Sequence, residues 1–372
     1  MQDDKALFDI FRHPQTIQAL SRKIYQEALK LSQPLKIMEV CGGHTHTIMK
    51  YGLKQLLPDT IEFIHGPGCP VCIMPKERID QAIDLARMRN TILLTLGDMI
   101  RVPGSESSLV EERARGCDIR PLYSPMDALK IAAENPTKKV IFFAIGFETT
   151  TPMTAALILR ADNEKLHNLF FHINHVLVPP AVHAIMDDPQ NRIDAFIGPS
   201  HVSVITGSKI YEPIAKQYET PVVVSGFEPV DVMEGILQII AQKNENRSEV
   251  EVQYSRAVTR DGNHKAQAMI EQTMNVRDTF RWRGLGDIEH SALQLGENYA
   301  HLDAEAVFSQ FLSNEPIDDH KLCICGSILK GLAKPNDCTV FGTACTPNSP
   351  LGSCMVSSEG SCNAYYRYGN VV

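Results

Sequence analysis

The chain has 372 residues, 44% of them hydrophobic and 22% charged, enough for two or three domains that each bury a core at roughly 150 residues per domain. Its 36 Lys and Arg against 44 Asp and Glu give a net charge of −8, so the basic excess that neutralises nucleic-acid phosphates is missing. Ten cysteines fall well short of the roughly 8% density of a disulfide scaffold, which directs attention to thiols as ligands or catalysts.

The first residues, Met1 to Lys5, start acidic and lack the basic-then-apolar order of an export signal. No apolar run approaches the roughly 20 residues needed to cross a bilayer. The expectation is a cytoplasmic protein without a membrane span. Residues 1–33 are expected to form an N-terminal helical segment. Between Lys36 and Asp231 short β-branched runs end in Gly and lead into helical stretches, the pattern of buried parallel strands alternating with helices. The runs are Ile37–Val40, Ile61–Ile64, Ile92–Leu96, Val140–Ile145, Ala195–Ile197 and Val222–Val224. Such βαβ units bury both faces of a parallel sheet. The predicted fold is therefore α/β, with two parallel-sheet domains at 34–135 and 136–240. Ser124-Pro125-Met126-Asp127 predicts a helix start, with Ser as cap and Pro in the first turn. Gly-Phe-Glu occurs twice, at 146–148 and 226–228, a hint of two strand ends with similar jobs. From 241 to 372 the pattern stops, and a mainly helical and irregular lobe is expected, with helix around Ala266 to Met274 and six cysteines within Cys323 to Cys362.

Ligands of open α/β sheets bind beyond the carboxyl ends of the strands. Cys41-Gly42-Gly43-His44-Thr45-His46 and Gly66-Pro67-Gly68-Cys69-Pro70-Val71-Cys72 are both expected there, lining one crevice. Cys41 falls between a strand and a helix, where unpaired N–H groups favour a thiolate. Gly42 and Gly43 let a neighbouring backbone or ligand come close to the sulfur. Cys69 and Cys72 have a spacing that suits a redox dithiol, while metal chelation is equally compatible with it. Of the two nearby histidines, His44 is the better candidate to face the sulfur. Glu148 and Glu228 either orient a ligand or cap the helices that follow them. In the C-terminal lobe Cys325, Cys338, Cys345 and Cys362 suit zinc or an iron–sulfur cluster, and their long gaps lean towards a cluster. Cys117, Cys323 and Cys354 have no assigned role. No phosphate-binding P-loop, no G-x-G-x-x-G site and no G-x-S-x-G elbow is present.

Together these segments, with Gly146-Phe147-Glu148-Thr149-Thr150, Pro199-Ser200-His201-Val202-Ser203 and Met355-Val356-Ser357-Ser358-Glu359-Gly360, resemble the HypD family of hydrogenase maturation factors over essentially the whole chain. The resemblance implies two related α/β domains with a cluster-bearing lobe. It also implies a scaffold on which the Fe(CN)2CO unit of [NiFe]-hydrogenases is assembled, with a small HypC-type partner and a HypE-type cyanide donor. By that resemblance Cys41 would hold the iron with a partner cysteine, His44 would act in the cleft, and Cys69 and Cys72 would be a redox pair. Cys325, Cys338, Cys345 and Cys362 would hold a [4Fe-4S] cluster that relays electrons. A free-standing thiol/disulfide oxidoreductase with an iron–sulfur cluster is the alternative. Whether ATP is hydrolysed is not legible.

Overall fold

A computed structural model describes residues 9–313 and 315–369. The N-terminal helix Pro14–Ala28 opens with Pro in its first turn and buries Ile17, Ile24 and Ala28 along one stripe. That stripe packs on the long helix Pro229–Asn244, as spacings of seven and four residues require of one helical face. No helix among the described residues is long and apolar enough to cross a membrane.

Two wholly parallel sheets carry the molecule. The first has the order β2-β1-β7-β8-β9, from Leu35–Glu39 (β1), Ile61–His65 (β2), Ala195–Pro199 (β7), Val222–Ser225 (β8) and Val250–Val252 (β9). The second has the order β4-β3-β5-β6, from Thr91–Leu96 (β3), Asp118–Leu122 (β4), Lys139–Gly146 (β5) and Leu169–His175 (β6). All six predicted runs are strands of these sheets. Alternation of period two distributes their side chains: Ile92, Leu94, Val140 and Phe142 fill the core on one face of the second sheet. Leu93, Ile141 and Phe143 fill the other, which is continuous with Val40 and Phe196 of the first sheet.

Sheet membership does not follow the expected boundary between residues 135 and 136. β3 and β4 pair with β5 and β6, while β1 and β2 pair with β7 to β9. The second sheet is thus inserted in the first between β2 and β7. Each βαβ run looks alike in sequence, so chain order does not reveal which crossover changes sheet. Both sheets repeat one strand order: first strand central, second outward on one side, third and fourth outward on the other. The two Gly-Phe-Glu segments nevertheless follow different positions, the third strand (β5) and the fourth (β8), so they are not equivalent turns of a duplicated unit.

Two local expectations shift. The helix after Ser124 spans Asp127–Glu134, and Ser124 forms the turn before it by accepting the Met126 amide at 3.3 Å. The helix predicted around 266–274 spans His264–Thr273, capped by Asn263. Beyond it lie two antiparallel pairs, Met274–Val276 (β10) with Leu293–Leu295 (β13) and Thr279–Trp282 (β11) with Gly286–Glu289 (β12). Trp282 is fully buried; its indole N–H donates to Ser291 Oγ at 2.9 Å and its ring meets Phe147, the residue just after β5. The cysteine-rich remainder is irregular, with the short helices Cys325–Leu329 and Ser361–Tyr368.

Candidate functional site: a buried cysteine pathway

In the first sheet the strand order reverses between β1 and β7, the position where open α/β sheets form a crevice. Cys41 follows β1 there as the N-cap of helix Gly42–Lys50, and His201 follows β7 in the helix Ser200–Thr206. The Cys41 sulfur lies 3.7 Å from His201 Nε2. Beneath it Glu39 is buried completely; its carboxylate accepts the Cys41 amide at 3.1 Å, the His65 ring N–H at 2.6 Å and the Thr45 hydroxyl. The glycines beside Cys41 allow close approach as expected. A Cβ on Gly42 would overlap Glu359, one on Gly43 the ring of Phe227, and one on Gly68 the backbone of Cys41 itself. Gly42 N–H donates to Gly68 O at 3.0 Å, which joins the two cysteine segments directly.

The electrostatics at Cys41 differ from the sequence expectation. Burial pushes its thiol well above the ordinary range, the nearby Glu359 and Glu39 carboxylates add to this, and the Gly43 and His44 amides pull the other way without prevailing. Burial also lowers His201 to about 4. At neutral pH the pair is a thiol beside a neutral imidazole, and a soft metal must displace the proton to bind.

Cys69 is the N-cap of the short helix Pro70–Ile73, which carries Cys72 and packs against β5 of the second sheet. Cys72 is in hydrogen-bonding contact with both Cys69 and Cys354. Cys354 in turn contacts Cys325, and Cys325 contacts Cys323, at 3.2 Å, and Cys362. The sulfurs therefore form one buried pathway from the C-x-x-C pair into the C-terminal lobe. Ser353 pins its middle by donating to Cys72 O at 2.5 Å. Burial raises Cys72, whereas hydrogen bonds from Cys325 and Cys72 lower Cys354.

Cys325, Cys338, Cys345 and Cys362 all line one narrow cavity, and Cys323 lines it too. The other walls include Ile324, Ile328, Val340 and Phe341. Among the described residues no group of three or more Cys, His, Asp or Glu side chains converges on a single ion position. A four-iron cluster has a different requirement, since each thiolate binds its own iron and the ligands ring a space. The donor set fits that requirement with one sulfur to spare. The cavity itself is drawn in, with Cys323 and Cys325 in contact.

The remaining expectations resolve individually. His44 turns to the first sheet's β8 end, where its Nε2 lies 3.2 and 3.0 Å from the Ser225 and Gly226 carbonyls and its ring packs on Phe227. The imidazole within reach of the Cys41 sulfur is that of His201, which also stacks on Phe227. Of the two Gly-Phe-Glu carboxylates only Glu228 caps the helix that follows it; Glu148 serves a later helix instead, and Thr151–Asn163 has no side-chain cap. Glu228 caps Pro229–Asn244 and pairs with Arg12, and Glu148 accepts the Val178 amide at 2.9 Å at the start of Val178–Met186. Glu148 Oε2 has no hydrogen-bond partner, and burial raises this carboxyl to about 7. Sequence reasoning passed over His201, Glu359 and Cys354. The signal for His201 was its place just after a strand ending in Gly-Pro, the same position that singled out Cys41. Cys117 lies apart, beside Arg87 and Glu112.

The sequence matches known proteins over nearly its whole length. The family profile for HypD, described as the Hydrogenase formation hypA family, matches residues 15–369. The chain is 51% identical over 367 residues to a hydrogenase expression/formation protein HupD of Azotobacter chroococcum, covering 97% of this chain and 96% of that one. It is 50% identical over 368 residues to the hydrogenase maturation factor HypD2 of Bradyrhizobium diazoefficiens, covering 97% and 96%. To the hydrogenase maturation factor HypD of Escherichia coli it is 45% identical over 364 residues, covering 97% of each. A full-length match at this identity, on a fold that gathers the motif cysteines along one buried path, makes the chain a member of the HypD family of hydrogenase maturation proteins.

Proposed function

We propose that this protein is the assembly scaffold for the Fe(CN)2CO unit of [NiFe]-hydrogenases, working with a small HypC-type partner and a HypE-type cyanide donor. The observation that carries this reading is the series of neighbouring thiols from Cys69 and Cys72 through Cys354 to Cys325, beginning beside the Cys41 loop. Cys41 holds the iron, which is the cargo, and a cysteine of the small partner completes the grip. Thiolate is a soft ligand suited to low-spin iron carrying cyanide and carbon monoxide. Burial of Cys41 keeps water from the sulfur. His201, 3.7 Å away, is placed to hydrogen-bond the Cys41 sulfur as its proton is released and iron binds.

Cys325, Cys338, Cys345 and Cys362 hold a [4Fe-4S] cluster, with Cys323 competing for the place of Cys325, the one ring member in hydrogen-bonding contact with Cys354. Such a cluster supplies electrons one at a time. Cys72 and Cys69 store two as a dithiol, and Cys354 lies between the two stores. The alternative of a free-standing thiol/disulfide oxidoreductase uses the same pathway but gives Cys41, whose loop is joined to the Cys69 segment by the Gly42–Gly68 hydrogen bond, no part to play.

The test is iron, zinc and acid-labile sulfide analysis with an infrared spectrum of anaerobically purified protein carrying its small partner. The expected result is about five iron and four sulfide per chain, four iron with the sulfide of a cubane and one carrying the cyanide and carbonyl ligands, whose stretches vanish in Cys41→Ser while sulfide is kept. Zinc without sulfide, or stretches that persist in Cys41→Ser, would overturn the assignment. Cys325→Ser and Cys323→Ser decide the fourth ligand, because only loss of a true ligand removes sulfide.

A further inference from the structure

A sizeable cavity lies away from the cysteine pathway. It has a volume of about 320 Å3 and sits at the seam between β2, an edge strand of the first sheet, and the segment that follows helix Cys325–Leu329. A smaller pocket of about 130 Å3 adjoins it, sharing Phe63, His65, Lys334 and Tyr365 as walls. Seams between packed units at this volume are where small ligands bind.

The lining has a definite chemistry. Lys36 and Arg192 face the larger cavity, and neither side chain has an ion-pair partner among the described residues. Of the acidic walls, Glu62 pairs with the Lys334 ammonium at 2.7 Å, while Asp337 accepts the Lys334 amide at 2.7 Å and keeps its charge. Lys54 lines the adjoining pocket. The Tyr365 hydroxyl has no hydrogen-bond partner among the described residues, and its ring stands edge-on to His65, 5.6 Å away. Phe63, Ile64, Ile328 and Leu332 complete the walls. Two unpaired cations and a free hydroxyl call for a doubly charged head group, for which a guanidinium fork is well shaped. The flat ring and aliphatic surfaces call for a planar apolar body.

We infer that this seam is a binding site for a small organic phosphate with a planar body, its phosphate held by Lys36 and Arg192 and its body against Phe63 and Tyr365. The location gives such a ligand reach in two directions. His65 in the wall holds Glu39, which carries the Cys41 amide, and Ile328 is shared with the cysteine-ringed cavity. An occupant therefore touches the supports of both centres without entering either.

Calorimetric titration of the full-length protein with phenyl phosphate tests the site, with phenol as the uncharged control and Lys36→Gln/Arg192→Gln as the variant. The expected result is saturable binding with one site per chain, weakened at least about tenfold in the double variant, as loss of charge-assisted hydrogen bonds implies, and no saturation with phenol. Histidine-labelled protein supplies a second reading: the His65 ring resonance, assigned with His65→Gln, should move as phenyl phosphate saturates. Absence of saturation, equal affinity in the double variant, equal binding of phenol, or an unmoved His65 resonance would each overturn the proposal. None of these readings involves iron or thiol oxidation, so their failure leaves the assembly reading standing.

Discussion

Single residues decide what the cleft can do. The Cys41 thiol is raised and His201 lowered chiefly by burial, so in the proposed function iron meets an uncharged pair and a proton is released as it binds. Replacing His201 with Asn is expected to reduce iron retained with the small partner by roughly tenfold, in the range of losses when a group supporting a metal ligand is removed. His44→Asn is expected to have a smaller effect, because that ring is engaged with the Ser225 and Gly226 carbonyls. Metal analysis of the two variants side by side checks this. Glu148 makes a pH prediction. Its carboxyl titrates at about 7 in the folded chain against about 4.5 when unfolded, so the folded state holds the extra proton between those values. Its contribution to stability is full below about 4.5 and is lost as pH rises through 7. Glu148→Gln keeps an acceptor for Val178 and removes the ionisation, so the variant should gain on the wild type between pH 5 and 8 by about 1–3 kcal/mol. Urea unfolding at those pH values reads the difference, and parallel profiles would contradict it. Cys41, Cys69 and Cys72 were legible because each stands in a Gly- or Pro-marked strand end. His201, Glu359 and Cys354 were not, because their importance comes from neighbours that are distant in the chain.

At the scale of elements, the strands that end in Gly were readable from their apolar runs, and three others were hidden for separate reasons. β6 carries His172, Asn174 and His175, which break its apolar pattern; all are buried and bonded in turn by Gln81, Arg78 and Thr154, with His175 Nδ1 left without a partner among the described residues. β4 contains Pro121, acceptable because β4 is an edge strand. β9 is a three-residue edge. The β6 polar group has an energetic consequence. Arg78 donates to Asn174 at 2.5 Å, to Ile173 O at 3.0 Å and to Glu305 at 2.6 and 2.9 Å, tying helix Lys76–Arg87 to the second sheet and to the segment before the cysteine lobe. Arg277 shares Glu305, and these charges hold its carboxyl below the usual range despite burial. Arg78→Ala leaves Asn174 and part of Glu305 unpaired inside the protein, and a loss of about 3 kcal/mol is expected. A shift in the urea midpoint reads it, and an unchanged midpoint would show that Arg277 alone satisfies the carboxylate.

For the whole molecule, the inserted second sheet is the feature that builds the site. Because the chain leaves the first sheet after β2 and returns at β7, the Cys69–Cys72 helix packs against β5 of the second sheet. The same insertion brings β3's end near the lobe, where Arg101 pairs with Asp98 and donates to Val356 O at 3.1 Å. The lobe closes over Cys41 through Glu359 and over Cys72 through Ser353. Sequence runs predicted the α/β class and the separate cysteine lobe, but which strands share a sheet depends on long-range packing that local patterns do not encode.

The central step of the proposed function is the passage of electrons from the cysteine-ringed cavity to the C-x-x-C pair through Cys354. The most direct measurement starts from cluster-loaded protein with Cys69 and Cys72 joined as a disulfide. Two electron equivalents of dithionite are added anaerobically, and differential alkylation with mass spectrometry then counts free thiols at Cys69 and Cys72. The wild type should return both thiols, one disulfide consuming two electrons and two protons, whereas Cys354→Ser should keep the disulfide while its cluster is reduced and its iron and sulfide content is unchanged. Equal reduction of the pair in Cys354→Ser would contradict the pathway.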